Sequence, residues 1–595
     1  MASALVDRDL SMTVAVGLNA GTRRRGTDTD GRNAIMPVDR PGHVFSLRTS
    51  AQAQAAFGHA ARADTLAPGL GHRPSACLRI HPAPGFTPLP PTEALQPRCA
   101  CRQRKRGRRA RARPLVLLTM LLAGLGSGAG AAPPGLEDCR LRGVEHPAWC
   151  GKVQRPLSAD APQGAHIELH YAVLPALSRQ RKPDPVFFFA GGPGQSAIDL
   201  AGTVAQLLAR FSNRRDLVLI DQRGTGRSAP LVCEGDDDPT RPLRDGLDEA
   251  RVQRALTRCR RALEALPYGD LRRFTTVEAA RDAEAVRVAL GAERVNLVGV
   301  SYGTRVALEY LRQTPRAVRR IVLDGVAPPD MALPLAFARD AQAAFDALLV
   351  RCETDAACAR RHPGLRVQWT QLLAALPREL NLVHPVTGRQ EQLTLTRENL
   401  AGLVRAPLYA PVLASGLPLA IDEATQGRWE ALVGLALALG AGRSGHIAQG
   451  QHFSVICSED MPQVPAGEPA QGDFASLADR YREACRDWPR AVLPAAFHRV
   501  GLSTVPVLLL SGAADPVTPP RHAQRVAAAL GPRARHVVIA AAGHGQLALP
   551  CVRELVHRFV DAEDEAGALE VRDGCPRERP WPPVFVAPGG AEEDD

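Results

Sequence analysis

The chain has 595 residues, with 73 Lys and Arg against 62 Asp and Glu, 45% hydrophobic residues and 13 Cys. This balance is ordinary for a globular protein; it excludes disorder over the whole chain and a polytopic membrane protein. The net charge of +11 would suggest nucleic acid if a folded domain carried it, but the first 131 residues hold 19 Lys and Arg against 7 Asp and Glu, leaving 54 against 55 for the rest. No nucleic-acid partner is expected.

Residues 1–100 show no sustained period of 2 or 3.6 and read as a disordered or wrongly included extension. Residues 101–131 read as a secretory signal peptide. Arg102 to Arg113 supplies a basic region, Leu115 to Leu125 a short apolar run, and Ala129-Gly130-Ala131 a small-residue cleavage site. The apolar run is too short to span a bilayer, which needs about 20 residues, so no stable membrane span is expected after cleavage. A signal this far from Met1 implies a start codon placed too far upstream. The mature chain would be exported to the periplasm or the medium.

Removing residues 1–131 leaves ten Cys, an even number that suits an oxidising compartment. Their order suggests the local pairs Cys139–Cys150, Cys233–Cys259, Cys352–Cys358, Cys457–Cys485 and Cys551–Cys575. No CxxC occurs among the ten, so neither a zinc site nor a dithiol redox site is expected.

Beyond residue 132 apolar runs alternate with amphipathic stretches, the pattern of an α/β protein with a mostly parallel, twisted sheet flanked by helices. Strands are predicted at His166–Val173, Val186–Ala190, Leu217–Asp221, Val295–Val300, Arg320–Asp324, Val507–Ser511 and His536–Ala540. Several are continuous apolar runs, as strands buried on both faces should be. Thr275 and Glu278 have the spacing of a capping box for a helix to Leu290. Residues 132–330 and 501–595 would form the core. Residues 331–500 lack the alternation and read as a helical cap inserted between the sixth and seventh core strands.

Gly299-Val300-Ser301-Tyr302-Gly303 lies between a predicted strand and a predicted helix, the setting of a nucleophile elbow. A Ser nucleophile needs a base, and the base needs an orienting acid. In this arrangement the chain order is Ser, acid, His. Asp515 follows the strand Val507–Ser511, and His544, between two glycines, follows the next one. Asp324 is the rival acid; His452 and His522 lack the strand-then-glycine setting. Ala190-Gly191-Gly192-Pro193-Gly194 ends another strand and would expose backbone N–H groups. Gly192 and Tyr302 are the expected oxyanion donors. Asp221-Gln222-Arg223-Gly224-Thr225-Gly226-Arg227-Ser228 lacks the third glycine of a dinucleotide fingerprint and reads as a structural loop. No cofactor or metal is expected.

The motifs AGGPG, DQRGTGRS, GVSYGT, SGAADPVTP and AGHG, in this order, resemble the proline iminopeptidase branch of serine α/β-hydrolases. They are most like its secreted tripeptidyl-aminopeptidase-like members. The resemblance covers roughly residues 135–590. It implies the α/β-hydrolase fold, with Ser301 as nucleophile, Asp515 as acid and His544 as base. It also implies an aminopeptidase releasing proline or short peptides from a free N-terminus. Members commonly have His before the two glycines; Ala190 stands there, which keeps open an esterase or lactone-type hydrolase acting on small esters. Exopeptidases of the branch hold the substrate amino group with acids from the cap, and here Glu459 and then Asp460 are the candidates.

Overall fold

The computed structural model describes residues 133–234, 240–441, 446–571, 575 and 579–585. The extension 1–100 and the expected signal segment lie outside these. All described residues fall within one compact unit.

Nine strands build the main sheet: β1 (Leu136–Cys139), β2 (Ala148–Pro156), β3 (His166–Leu174), β4 (Val186–Phe189), β5 (Leu217–Ile220), β6 (Val295–Val300), β7 (Val318–Asp324), β10 (Val507–Gly512) and β11 (Ala534–Ile539). The remaining pair, β8 (Arg378–Val383) and β9 (Gln390–Leu395), forms a separate antiparallel hairpin. The main sheet runs β1-β2-β3-β5-β4-β6-β7-β10-β11. It is antiparallel from β1 to β5 and parallel from there on. All seven predicted strands are present. The first of them pairs antiparallel to β5, so the parallel part is narrower than the alternation implied.

Two packed layers explain why β4 and β5 are apolar at every position. Phe187, Phe189, Val218 and Leu297 point to one face, where the helices Thr276–Ala289, Tyr302–Gln313 and Pro520–Leu530 cover them. Val186, Phe188, Leu217 and Val298 point to the other, beneath Ala201–Leu207 and Pro550–Asp561. Side chains alternate along a strand, so burial on both faces requires an unbroken apolar run. β2 lies beyond this double cover, and its outer half alternates between half-buried and exposed residues.

The long insertion leaves the sheet after β7 and returns at β10. It therefore lies between the seventh and eighth strands of the sheet, not the expected sixth and seventh. Five of the seven predicted strands precede it, and β1 and β2 add two more ahead of them. Besides its helices the insertion carries β8–β9, and it has its own core around Phe345, Trp369, Leu393, Leu400, Ile421 and Phe474. The five expected disulfides are all present. The capping box is only half formed. The Thr275 hydroxyl accepts from the Glu278 N–H, while the Glu278 carboxylate turns to Arg281. Among the described residues no helix is long and apolar enough to cross a membrane.

Candidate active site

Ser301 sits at the turn between β6 and the helix Tyr302–Gln313, with φ +56° and ψ −122°. Such a backbone costs a non-glycine residue about 1–3 kcal/mol, and it persists where packing leaves no alternative. Here packing leaves none. A Cβ on Gly303 would lie 2.1 Å from the Phe189 carbonyl oxygen, so only glycine lets the helix start this close to β4. The Ser301 N–H donates to the Asp324 carbonyl at 2.8 Å, tying the turn to β7. Tyr302 opens the helix, where a backbone N–H has no intrahelical partner one turn back.

Asp515 and His544 come from the ends of β10 and β11, as expected. His544 Nδ1 is 2.8 Å from Asp515 Oδ2. The other Asp515 oxygen accepts the N–H groups of Val517 (2.8 Å) and Thr518 (2.9 Å). The Thr518 hydroxyl donates to Oδ2 at 2.8 Å and lies 3.1 Å from His544 Nδ1. Burial alone would raise the Asp515 pKa. The His544 charge and these hydrogen bonds outweigh it and hold the pKa below the ordinary carboxylate value. For His544, burial pushes the pKa down, but the Asp515 charge and hydrogen bond, followed by the Asp324 charge, raise it above its ordinary 6.5. An ionised acid beside an imidazole with raised proton affinity is what a general base requires. Thr518 went unrecognised in the sequence, where the only hint was an Asp-x-x-Thr spacing.

Asp324, the rival acid, does a different job. Its carboxylate is fully buried and accepts from the N–H groups of Gln546 and Leu547, just after His544. One residue thus holds the nucleophile turn through its carbonyl and the histidine loop through its side chain. Burial lifts its pKa from 3.8 to about 6, against the pull of those N–H groups.

The glycine loop presses on the same turn. A Cβ on Gly191 would lie 3.2 Å from that of Ser301, and Gly192 has φ +108°. Asp221 holds the loop from below, accepting from the Ser196 hydroxyl (2.7 Å) and the Ile198 N–H (3.1 Å). Arg223 makes a bidentate pair with Asp282. The segment 221–228 is therefore a buried brace, in keeping with the structural reading of its motif. From the insertion, the Ala448 N–H donates to the Gly194 carbonyl at 2.9 Å. His452 Nδ1 meets the Pro193 carbonyl oxygen at 3.1 Å, and burial drives the pKa of this histidine down to about 4.

Glu459 and Asp460 do not occupy the position expected of them. Both are fully buried. Glu459 accepts from the Thr276 N–H (2.7 Å) and hydroxyl (2.8 Å), and from Arg305. Asp460 accepts two bonds from Arg305 at 3.0 Å and one from the Leu333 N–H. With every oxygen engaged inside the protein, neither carboxylate is presented to a substrate amino group. They anchor the helix Gln449–Glu459 to the helix that follows Ser301. The Thr276 hydroxyl continues the chain of contacts to the Tyr302 hydroxyl at 2.8 Å.

A family model described as the alpha/beta hydrolase fold matches residues 184–548, more than half of the chain. The chain belongs to the alpha/beta hydrolase fold family. The chain is 30% identical over 308 residues to "Serine protease Hip1" of Mycobacterium tuberculosis, a match covering 49% of this chain and 58% of that protein. It is 32% identical over 209 residues to "Tripeptidyl aminopeptidase" of Streptomyces lividans, covering 32% of this chain and 38% of that one. It is 27% identical over 194 residues to "Carboxylesterase B" of Mycobacterium tuberculosis, covering 31% and 36%. The matches thus span between about a third and three fifths of these relatives' lengths.

Proposed function

We propose that this hydrolase is an exported serine aminopeptidase that releases proline or short peptides through an acyl-enzyme on Ser301. The observation that carries the reading is the His544–Asp515 pair at the ends of neighbouring strands, together with a Ser at a strained strand-to-helix turn whose N–H is held by the Asp324 carbonyl. His544 takes the Ser301 proton as the hydroxyl attacks the scissile carbonyl. Asp515 fixes the imidazole and stabilises its cationic form. The N–H groups of Tyr302 and Gly192 receive the oxyanion, each contributing about 3–4 kcal/mol. The leaving amine departs with the proton from His544, and water then repeats the cycle. Residues 331–500 act as a cap over this site, supported by the bonds from Ala448, His452 and Tyr409 to its loops. The relative named as a tripeptidyl aminopeptidase supports peptide substrates, and the five disulfides support export through a signal at 101–131.

Hydrolysis of small esters is the second reading, supported by Ala190 before the glycines and by the relative named as a carboxylesterase. Rates on prolyl and tripeptidyl amides, set against rates on short acyl esters, separate the two. Turnover of the amides that Ser301→Ala abolishes is expected. Ester turnover with no amide turnover would overturn the peptidase reading, and full activity of Ser301→Ala would overturn the mechanism.

A further inference from the structure

The insertion carries one cation to the edge of the base. Arg405 and Tyr409 stand four residues apart at the end of the helix Arg397–Leu408, so their side chains leave it on the same side. The Tyr409 ring meets the His544 imidazole edge-on, with 5.3 Å between centroids. Its carbonyl accepts the His544 N–H at 2.8 Å. One Arg405 nitrogen, Nη2, donates to the Tyr409 hydroxyl at 2.9 Å. The guanidinium carbon lies 4.1 Å from the centre of the Phe337 ring and 5.2 Å from that of Tyr409.

What this arrangement lacks is a counter-charge. The fully buried arginines Arg215, Arg223 and Arg305 each pair with carboxylates. Among the described residues no carboxylate pairs with Arg405, and its Nε is buried with no hydrogen-bond partner. Aromatic rings cover the faces of this guanidinium, Nε is enclosed and Nη2 already serves Tyr409, so the Nη1 side of its edge is what a ligand would meet. A planar acceptor with two oxygens matches that edge, which means a carboxylate.

The side of the scissile bond follows from the neighbour. The base that takes the nucleophile's proton later gives it to the leaving group, so the leaving group departs past His544. A group held against Tyr409 and Arg405 is on that side. We propose that Arg405 is a specificity residue binding a carboxylate on the leaving-group side of the scissile bond. The carboxylate is either the free C-terminus of a short substrate or an acidic side chain of the first leaving residue. Arg405 also opposes the cationic form of His544. A carboxylate on its edge offsets that charge while the imidazole holds the proton.

The proposal rests on the acyl-transfer reading above, and its test can fail separately. Three peptides share one acyl part and differ in the leaving residue: alanine with a free carboxylate, alanine amide and glutamate amide. The full chain is expected to prefer at least one carboxylate peptide over alanine amide by about tenfold or more in kcat/KM. In Arg405→Met this ratio falls to about one, while Arg405→Lys keeps part of it. Preference for the free acid assigns the C-terminus, and preference for glutamate amide assigns the side chain. Equal rates on all three, or a ratio that survives Arg405→Met, overturns the proposal. Calorimetric binding of the same peptides to Ser301→Ala, with and without Arg405→Met, repeats the comparison without turnover. If the peptides bind with the expected preference but are never cleaved, the peptidase reading fails and the carboxylate site stands. If no carboxylate peptide binds more tightly than the amide, the site fails.

Discussion

Replacing Asp324 by Asn should change stability by an amount that depends on pH. In the folded protein its pKa is about 6, against an ordinary 3.8, because burial penalises the charged form more than the Gln546 and Leu547 N–H groups favour it. The folded state therefore binds this proton more tightly than the unfolded state. The resulting stabilisation is complete below about pH 3.8 and is lost as pH rises through about 6. At 1.36 kcal/mol per pKa unit the swing is about 3 kcal/mol. Asn has nearly the same shape and no charge to lose. Urea unfolding of both proteins between about pH 4 and pH 7 tests this, since stability shared by the two cancels in the difference. The wild type should lose most of that swing, about 2.5 kcal/mol, relative to the variant across that range. A difference that stays constant with pH would refute the premise of an ionised carboxylate buried at the end of β7. The variant's kcat should also fall, because the amide NH2 cannot accept from both N–H groups that hold the histidine loop.

Four further outcomes follow from the site. Because Asp515 and Asp324 together outweigh burial and Arg405, kcat/KM should fall on acidification through a pH above the ordinary histidine value of 6.5, and a limb below that value would contradict the charge arrangement. Asp515→Asn should move that limb down and reduce kcat by about four orders of magnitude, read in the same pH–rate profiles. Arg305→Met strands two buried carboxylates and should destabilise the fold by about 3–5 kcal/mol in urea, whereas Glu459→Gln should leave the rate ratio of free to blocked N-terminal substrates unchanged, as an anchoring role requires.

The parts legible in the sequence are those with local causes. Strands buried on both faces must be largely apolar, so β4, β5 and β10, and the apolar stretches of β6 and β7, show themselves. The Ser, Asp and His positions each follow such a strand, and the glycines mark turns too tight for a side chain. What stayed hidden depends on partners far along the chain. Glu459 and Asp460 read as two acids after a cysteine; only the fold brings Arg305 to them, about 150 residues away in sequence. Asp324 looked like an alternative acid because strand-end position is all that sequence shows, while its N–H partners lie beyond residue 540. β1 was missed because four residues with exposed members in the middle carry no pattern. Arg405 and Tyr409 sit in a helix whose sequence gives no sign that its end reaches the base.

The bonds from the insertion bear on how this protein could be re-engineered. Residues 409, 448, 452, 459 and 460 hold, in turn, the base, the glycine loop and the helix behind the nucleophile. Exchanging the insertion for that of a relative would therefore do more than redraw the substrate pocket. A chimera would lose these three clamps at once, unless the graft brought its own equivalents of Tyr409, Ala448 and the Glu459–Asp460 pair. Substrate range in this enzyme is more safely altered one side chain at a time than by trading modules.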